Sequence, residues 1–181
     1  ANTGDSQTAT VHTDVAAIPS VLVTDQFSNP VAGVSVTFAV ASGGGSLSGA
    51  SATTNAGGIA TVGSWQLGDT AGANTLTAAS TGLTTVTFNA TGTAGSATSL
   101  AVNTGDSQSA TVHTDVATAP SVLVTDLYGN PVAGVTVTFA VASGNGTGTN
   151  LSQTTDGSGI ATAGSWQLGD TAGANTLTAA A

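Results

Sequence analysis

Val34, Val36, Phe38 and Val40 fall on one parity of the chain, and Ser35, Thr37, Ala39 and Ala41 take the other. A period of two marks a strand with one buried face. Val86, Phe88 and Ala90 alternate in the same way with Thr85, Thr87 and Asn89, and Leu76 and Ala78 continue the theme. Ile59, Trp65 and Leu67 share a parity opposite Ala60, Ser64 and Gln66. Ser20–Thr24 reads as a further strand entered through Pro19, a residue that suits strand entries because it donates no ladder bond. Thr8–Val11 and Val15–Ala17 read as a split edge strand. No segment has helical periodicity. About seven short strands in roughly 100 residues, punctuated by turn signals, predict an all-β sandwich. Its outer faces are covered by Thr, Ser, Asn and small residues.

The pattern is written twice. Asn2 aligns with Asn103, and the match runs without a gap to Ala79 and Ala180. About three quarters of the paired positions are identical. Most differences fall in Gln26–Ser28 against Leu127–Gly129 and in Gly44–Gly57 against Asn145–Ser158. These stretches are rich in Gly, Ser, Asn and Thr and read as turns and loops. The unit is therefore a domain-sized module copied in tandem, with repeat 1 over residues 1–93 and repeat 2 over residues 94–181.

Between two strands lies Asp25–Gly33, a corner. Asp25 and Asn29 can turn back onto nearby backbone N–H groups, Pro30 fixes its φ, and Gly33 closes the turn. Gly129 supplies in the second copy the backbone freedom that Ser28 must supply in the first. Asp25–Phe38, Thr53–Thr61 and Ala71–Ala78, with second copies at Asp126–Phe139, Thr154–Thr162 and Ala172–Ala179, carry the elements D-x-x-G-N-P-V-x-G-V-x-V-T-F, T-T-[ND]-x-x-G-I-A-T and A-G-A-N-T-L-T-A. Together they resemble the bacterial immunoglobulin-like repeats of the invasin/intimin type. The resemblance covers nearly the whole chain. It implies two tandem Ig-like Greek-key sandwiches, end to end, in a large secreted or surface protein where such domains hold a binding tip away from the cell. It brings no catalytic residues. The absence of Lys and Arg departs from the family's usual composition.

Charge narrows the partners. The chain has no Lys and no Arg, nine acids that are all Asp, and a net charge of −9. An ordinary chain of this size carries on the order of 20 Lys plus Arg. Without cations it lacks the means to neutralise nucleic-acid phosphates or to dock on anionic lipid. No apolar run approaches the roughly 20 residues of a membrane span, so this segment inserts in no membrane as a helix. Apolar residues make up 40% of the chain, enough for a core. There is no Cys, which removes disulfides, thiolate metal sites and thiol catalysis. The lack of Lys and Arg also removes every trypsin-type cleavage site.

Candidate chemistry is sparse. His12 and His113 stand in V-H-T-D-V, with Asp14 and Asp115 two residues along as potential partners, but no nucleophile has a matching spacing. Trp65 and Trp166 could stack a sugar, although their parity groups them with core residues. Calcium wants six to eight oxygens. Asp5, Asp14, Asp25, Asp69, Asp106, Asp115, Asp126 and Asp170 are the candidates for such a site, which would have to be assembled from separate loops because no D-x-D-x-D-G loop exists. The competing reading makes Asp25 a turn residue and the others loop acids. Asn89, Asn145 and Asn150 match the glycosylation sequon. No catalytic, cofactor or metal site is assigned, and no enzyme activity is expected.

The chain starts at Ala1 and shows no signal peptide, which reads as an excerpt or processed product of something longer. Leu83–Thr93 reads as the closing strand of the first copy, and the second copy ends before an equivalent. The first copy likewise shows nothing matching Ala94–Val102. Either a longer array continues the pattern or a neighbouring molecule supplies a strand. The expected function is a structural spacer of a bacterial adhesin-like surface protein, located outside the cell, each domain adding some 35–45 Å of reach. Its partners would be neighbouring Ig-like repeats of the same chain or of adjacent subunits. The alternative is a subunit of an extracellular filament assembled by strand complementation. A module binding sugar or ice is a third reading.

Overall fold

The computed structural model describes all residues, 1–181, and divides into two compact units, Ala1–Ala94 and Gly95–Ala181. Every regular element is a strand. In unit 1 these are β1 (Gln7–Thr10), β2 (Ser20–Leu22), β3 (Ser35–Ser42), β4 (Ser46–Ser48), β5 (Ser51–Thr53), β6 (Ile59–Thr61), β7 (Ser64–Gln66), β8 (Gly72–Ala79) and β9 (Val86–Thr93). One sheet has the order β1-β9-β8-β3-β5, and the short ladders β2–β6 and β4–β7 complete the unit. The Val/Phe face of β3 explains the layering. Val36 and Phe38 point inward and meet Leu76 and Ala78 of β8, Phe88 and Ala90 of β9, Val21 of β2 and Trp65 of β7 in one core. Phe38, Trp65 and Phe88 are buried, as their parity predicts, while Val86 at the start of β9 packs on the rim.

Unit 2 contains β10 (Ser99–Thr104), β11 (Ser121–Thr125), β12 (Thr136–Ser143), β13 (Thr147–Thr149), β14 (Ser152–Thr154), β15 (Ile160–Thr162), β16 (Ser165–Gln167) and β17 (Thr176–Ala180). Its ladders are β10-β11-β15, β14-β12-β17 and β13-β16. Phe139 and Val137 anchor a second core with Val122, Val124, Ala161 and Ala163. Trp166, expected inside, is half-buried.

Four expectations change. Ile59, Trp65 and Leu67 do not share one inward face: Ala60 and Val62 are buried on β6 and just after it, and Trp65 and Leu67 are buried from β7 onward. The chain leaves the β2 ladder at Gly63 and joins β4, so the parity resets where it changes sheet. The strand at Ser20–Thr24 extends only to Leu22, whereas its counterpart β11 reaches Thr125. The difference follows from β10, which pairs along β11 and satisfies its edge. Of the split edge strand only Gln7–Thr10 forms, because a turn from Thr10 to Thr13 redirects the chain and leaves a single bridge from Asp14 to Gln66. Gly44–Gly57 is more than a loop, since β4 and β5 lie inside it, and β13 and β14 occupy the same place in unit 2.

That variable segment conserves packing while changing sequence. Leu47 on β4 packs on the core of unit 1. Its counterpart is Gly148, and the leucine has moved to Leu151, which packs on the core of unit 2 where unit 1 has Ala50. A Cβ on Gly148 would lie 2.7 Å from Leu151 Cδ2. The space holds one leucine, reached from either side of the turn. Gly148→Leu alone is therefore expected to destabilise unit 2 by about 1–3 kcal/mol through overpacking. Adding Leu151→Ala should recover most of that loss. Urea unfolding of both single variants and the double variant gives the coupling energy, and simple additivity would show that the two sites do not share the space.

Candidate functional site: the carboxylates and the histidine pairs

The corner Asp25–Asn29 is held by its first residue. Asp25 Oδ1 accepts the N–H groups of Phe27 at 2.8 Å and Asn29 at 2.9 Å, and Asn29 Nδ2 donates to Asp25 Oδ2 at 3.1 Å. Asn29 thus bonds the carboxylate rather than a neighbouring backbone group. Ser28 sits at φ 67 and Gly129 at φ 82, so both copies place this residue in the left-handed region that Gly tolerates best. Asn29 and the backbone N–H groups hold the Asp25 carboxyl below its ordinary value.

Asp126 makes the same turn in a different setting. Its Oδ1 accepts the N–H groups of Tyr128 and Asn130, each at 2.9 Å, and its Oδ2 accepts Asn130 Nδ2 and the Gly95 N–H, also at 2.9 Å. The strand lead-in that begins at Gly95 covers it, and Asp126 is 3% exposed whereas Asp25 is exposed. Burial pushes the Asp126 carboxyl up, but the bonds from Asn130, Gly95 and Tyr128 outweigh it and hold the group below 3.8.

Asp5 spans unit 1 more widely. Its Oδ1 accepts the backbone N–H of Asn89 on β9 at 2.8 Å and that of Ser6 at 2.8 Å, with Asn89 Nδ2 at 3.3 Å. The Asn89 amide is the main reason its carboxyl lies below the usual value. Asp14 and Asp115 form isolated bridges to Gln66 and Gln167.

The histidines do not pair with Asp14 and Asp115. His12 Nδ1 lies 2.7 Å from Asp69 Oδ1, and His113 Nδ1 lies 2.8 Å from Asp170 Oδ1. The chain turns sharply at these residues, with φ 58 at His12 and φ 59 at His113, and so aims each imidazole at the loop after the Trp strand. Each pair clips two surface loops together, and all four side chains are more than half exposed. An exposed surface contact of this kind contributes about 0–1 kcal/mol.

No three His or Asp side chains converge on one point, so the eight candidate carboxylates are dispersed in separate loops. Trp65 is 0% exposed and offers no ring face for stacking. Trp166 is half-buried and lines a groove in unit 2. The indole N–H of each is buried without a partner.

No family model matches the sequence, and no curated protein aligns with it significantly. Solved structures do align. InvD of Yersinia pseudotuberculosis matches over 95% of this chain and 49% of its own, at 21% identity and a TM-score of 0.59. FdeC, described as an Escherichia coli adhesin, matches over 92% of this chain and 54% of its own, at 21% identity and a TM-score of 0.52. The D0-D1 domain pair of intimin aligns over 97% of this chain and 87% of its own, at 26% identity and a TM-score of 0.41. The chain has the fold of InvD and FdeC. It consists of two tandem β-sandwich units, and it spans about half the length of the InvD and FdeC chains.

The carboxylates yield one pH dependence. Because the Asp126 carboxyl is depressed in the folded state, its contribution is present above 3.8 and is lost as pH falls through the lower folded value. Unit 2 should therefore lose stability on acidification below 3.8. Asp126→Ala should cost about 2–3 kcal/mol near neutral pH, since it strips acceptors from several N–H groups just below the surface, and should flatten that acid slope. Melting followed by Trp166 fluorescence in a Trp65→Phe background checks both.

Proposed function

We propose that the chain is a structural, non-enzymatic spacer in a bacterial surface protein, exposed outside the cell, with neighbouring Ig-like repeats of the same chain as its partners. The observation that supports this reading is what the repeat preserves. The core residues Val36, Phe38, Trp65 and Leu76 recur unchanged, and even the relocated leucine still packs on the core of its unit. What is copied is a packing unit. The polar side chains that recur, Asp25 with Asp126 and His12 with His113, are occupied in shaping turns and clipping loops. The fold shared with FdeC, itself described as an adhesin, fits the same role.

The sequence suits that place. A chain without Lys or Arg offers trypsin-like proteases no site. Its uniform negative charge keeps adjacent molecules apart over roughly 8 Å at physiological salt. Adding or deleting one repeat in the full surface protein should change the height of the displayed tip by some 35–45 Å, read by atomic force microscopy on cells. Purified 1–181 should show no saturable binding to host cells, matrix proteins or a glycan array. Saturable binding to any of these by 1–181 alone would replace the spacer reading with that of a receptor-binding module.

A further inference from the structure

The chain contains ten Asn, and their side chains are held unevenly. Eight are tied by side-chain hydrogen bonds, among them Asn29 and Asn130 at the corners and Asn74 and Asn175, which accept glycine N–H groups. The other two, Asn145 and Asn150, are exposed, stand at φ 58 and φ 48, and make no side-chain hydrogen bond. The residue that follows separates this pair. Asn150 precedes Leu151, whose side chain packs on the core of unit 2. Asn145 precedes Gly146, and no other Asn of the chain has glycine next in sequence. The Gly146 N–H lies just before β13 and donates to no backbone carbonyl. A free carboxamide and a free, unscreened backbone nitrogen are therefore adjacent in the turn between β12 and β13.

We propose that Asn145 is a site of self-modification, a hydrolytic deamidation through a cyclic imide with water as co-reactant. The Gly146 nitrogen loses its proton and attacks Asn145 Cγ, closing a five-membered ring. The Cγ–Nδ2 bond breaks, and the side-chain nitrogen takes up a proton and leaves as ammonia. Water then opens the ring. Attack at Cγ gives aspartate, and attack at the main-chain carbonyl of residue 145 gives isoaspartate, in which the backbone runs through Cβ and Cγ. Glycine makes ring closure accessible, because no Cβ screens its nitrogen and its backbone turns freely. Asp156 also precedes a glycine, but its Oδ1 is held by the N–H groups of Ser158 at 2.8 Å and Ile160 at 3.1 Å, and an ionised carboxylate is a poor electrophile. Unit 1 has Gly44 in place of Asn145 and is free of the reaction. The modification has a local consequence. The turn is pressed against the segment after β16, since a Cβ on Gly169 would collide with the Gly144 carbonyl. Isoaspartate lengthens the main chain at this contact, next to the pairing of Thr147 with Gln167 that opens the β13–β16 ladder. Either product adds a negative charge to a chain that has no Lys or Arg to offset it.

The test is to age the chain 1–181 at neutral and mildly alkaline pH, cleave it with chymotrypsin, and follow the fragment between Phe139 and Trp166 by mass spectrometry. Asn145 is expected to convert at least about tenfold faster than Asn150 in the same fragment, because glycine leaves the attacking nitrogen open and leucine does not. The rate should rise with pH, since the nitrogen attacks only after losing its proton, and isoaspartate should accompany aspartate. Asn145→Gly installs the residue that unit 1 carries at this place. It should abolish the conversion without lowering the melting temperature of either unit. Amide exchange along β13 and β16 should quicken in the aged parent chain and stay unchanged in aged Asn145→Gly. An Asn145 that remains intact, equal rates at Asn145 and Asn150, or conversion without isoaspartate would overturn the proposal. Exchange unaltered by ageing would overturn its effect on the ladder.

Discussion

Phe88 is fully buried on β9, opposite Leu76 on β8, and one side of unit 1 is organised around that contact. The strand that carries it bonds to β8 on one edge and to β1 on the other. Its inward face closes over Leu76, and Trp65 and Leu67 are sealed in the same core. Unit 2 holds the same residues, Trp166, Leu168 and Leu177, without that cover, and each is half-buried. The segment matching β1 is then irregular. Comparing the units isolates what one strand does. It removes apolar area from water at about 25 cal/mol per Å² and satisfies two rows of backbone groups at once.

The polar groups follow the same economy of purpose. Asp25 and Asp126 begin identical turns, but only Asp126 is covered, because the segment from Gly95 donates an N–H to it and β10 then runs along β11. A neighbouring segment thus changes a surface turn residue into a buried one with no change in its own sequence. Asp5 grips β9 through Asn89, and the His–Asp clips fasten loops that the ladders leave free. Asp5, Asp25, Asp126 and the two His–Asp pairs each serve a local geometric task, and no three His or Asp side chains gather at one point.

Much of this was legible in the sequence where one face of a strand is buried along its whole length. Val36 and Phe38 alternate with Ser35 and Thr37 without interruption, and so do Phe88 and Ala90 with Thr87 and Asn89, so the inward face could be read directly. The pattern failed between Ile59 and Leu67, because Gly63 ends one ladder and starts another, and a parity carries no meaning across such a change. β4 and β5 escaped because three-residue strands of Ser, Ala, Leu and Thr next to glycines look like loop. The turn at Asp25 was readable from residue types acting on their own neighbours. The pairing of His12 with Asp69 was not, since it joins positions 57 apart through a turn whose positive φ leaves no mark in the periodicity. The relocated leucine, Leu47 to Leu151, is a three-dimensional compensation that an alignment shows only as two unrelated differences.

The direction of β1 relative to β9 bears on how unit 1 responds to force. The two strands run parallel, and β1 lies near the start of the unit while β9 lies at its end. Tension applied through those ends draws β1 and β9 in opposite senses along their common axis. The four register pairs from Gln7–Ala90 to Thr10–Thr93 are then strained together, in shear, instead of parting one after another as they would if peeled from one end. Resistance to such a pull is set by the rate of unfolding and not by equilibrium stability. A unit closed in this way is suited to holding its shape under flow or tugging.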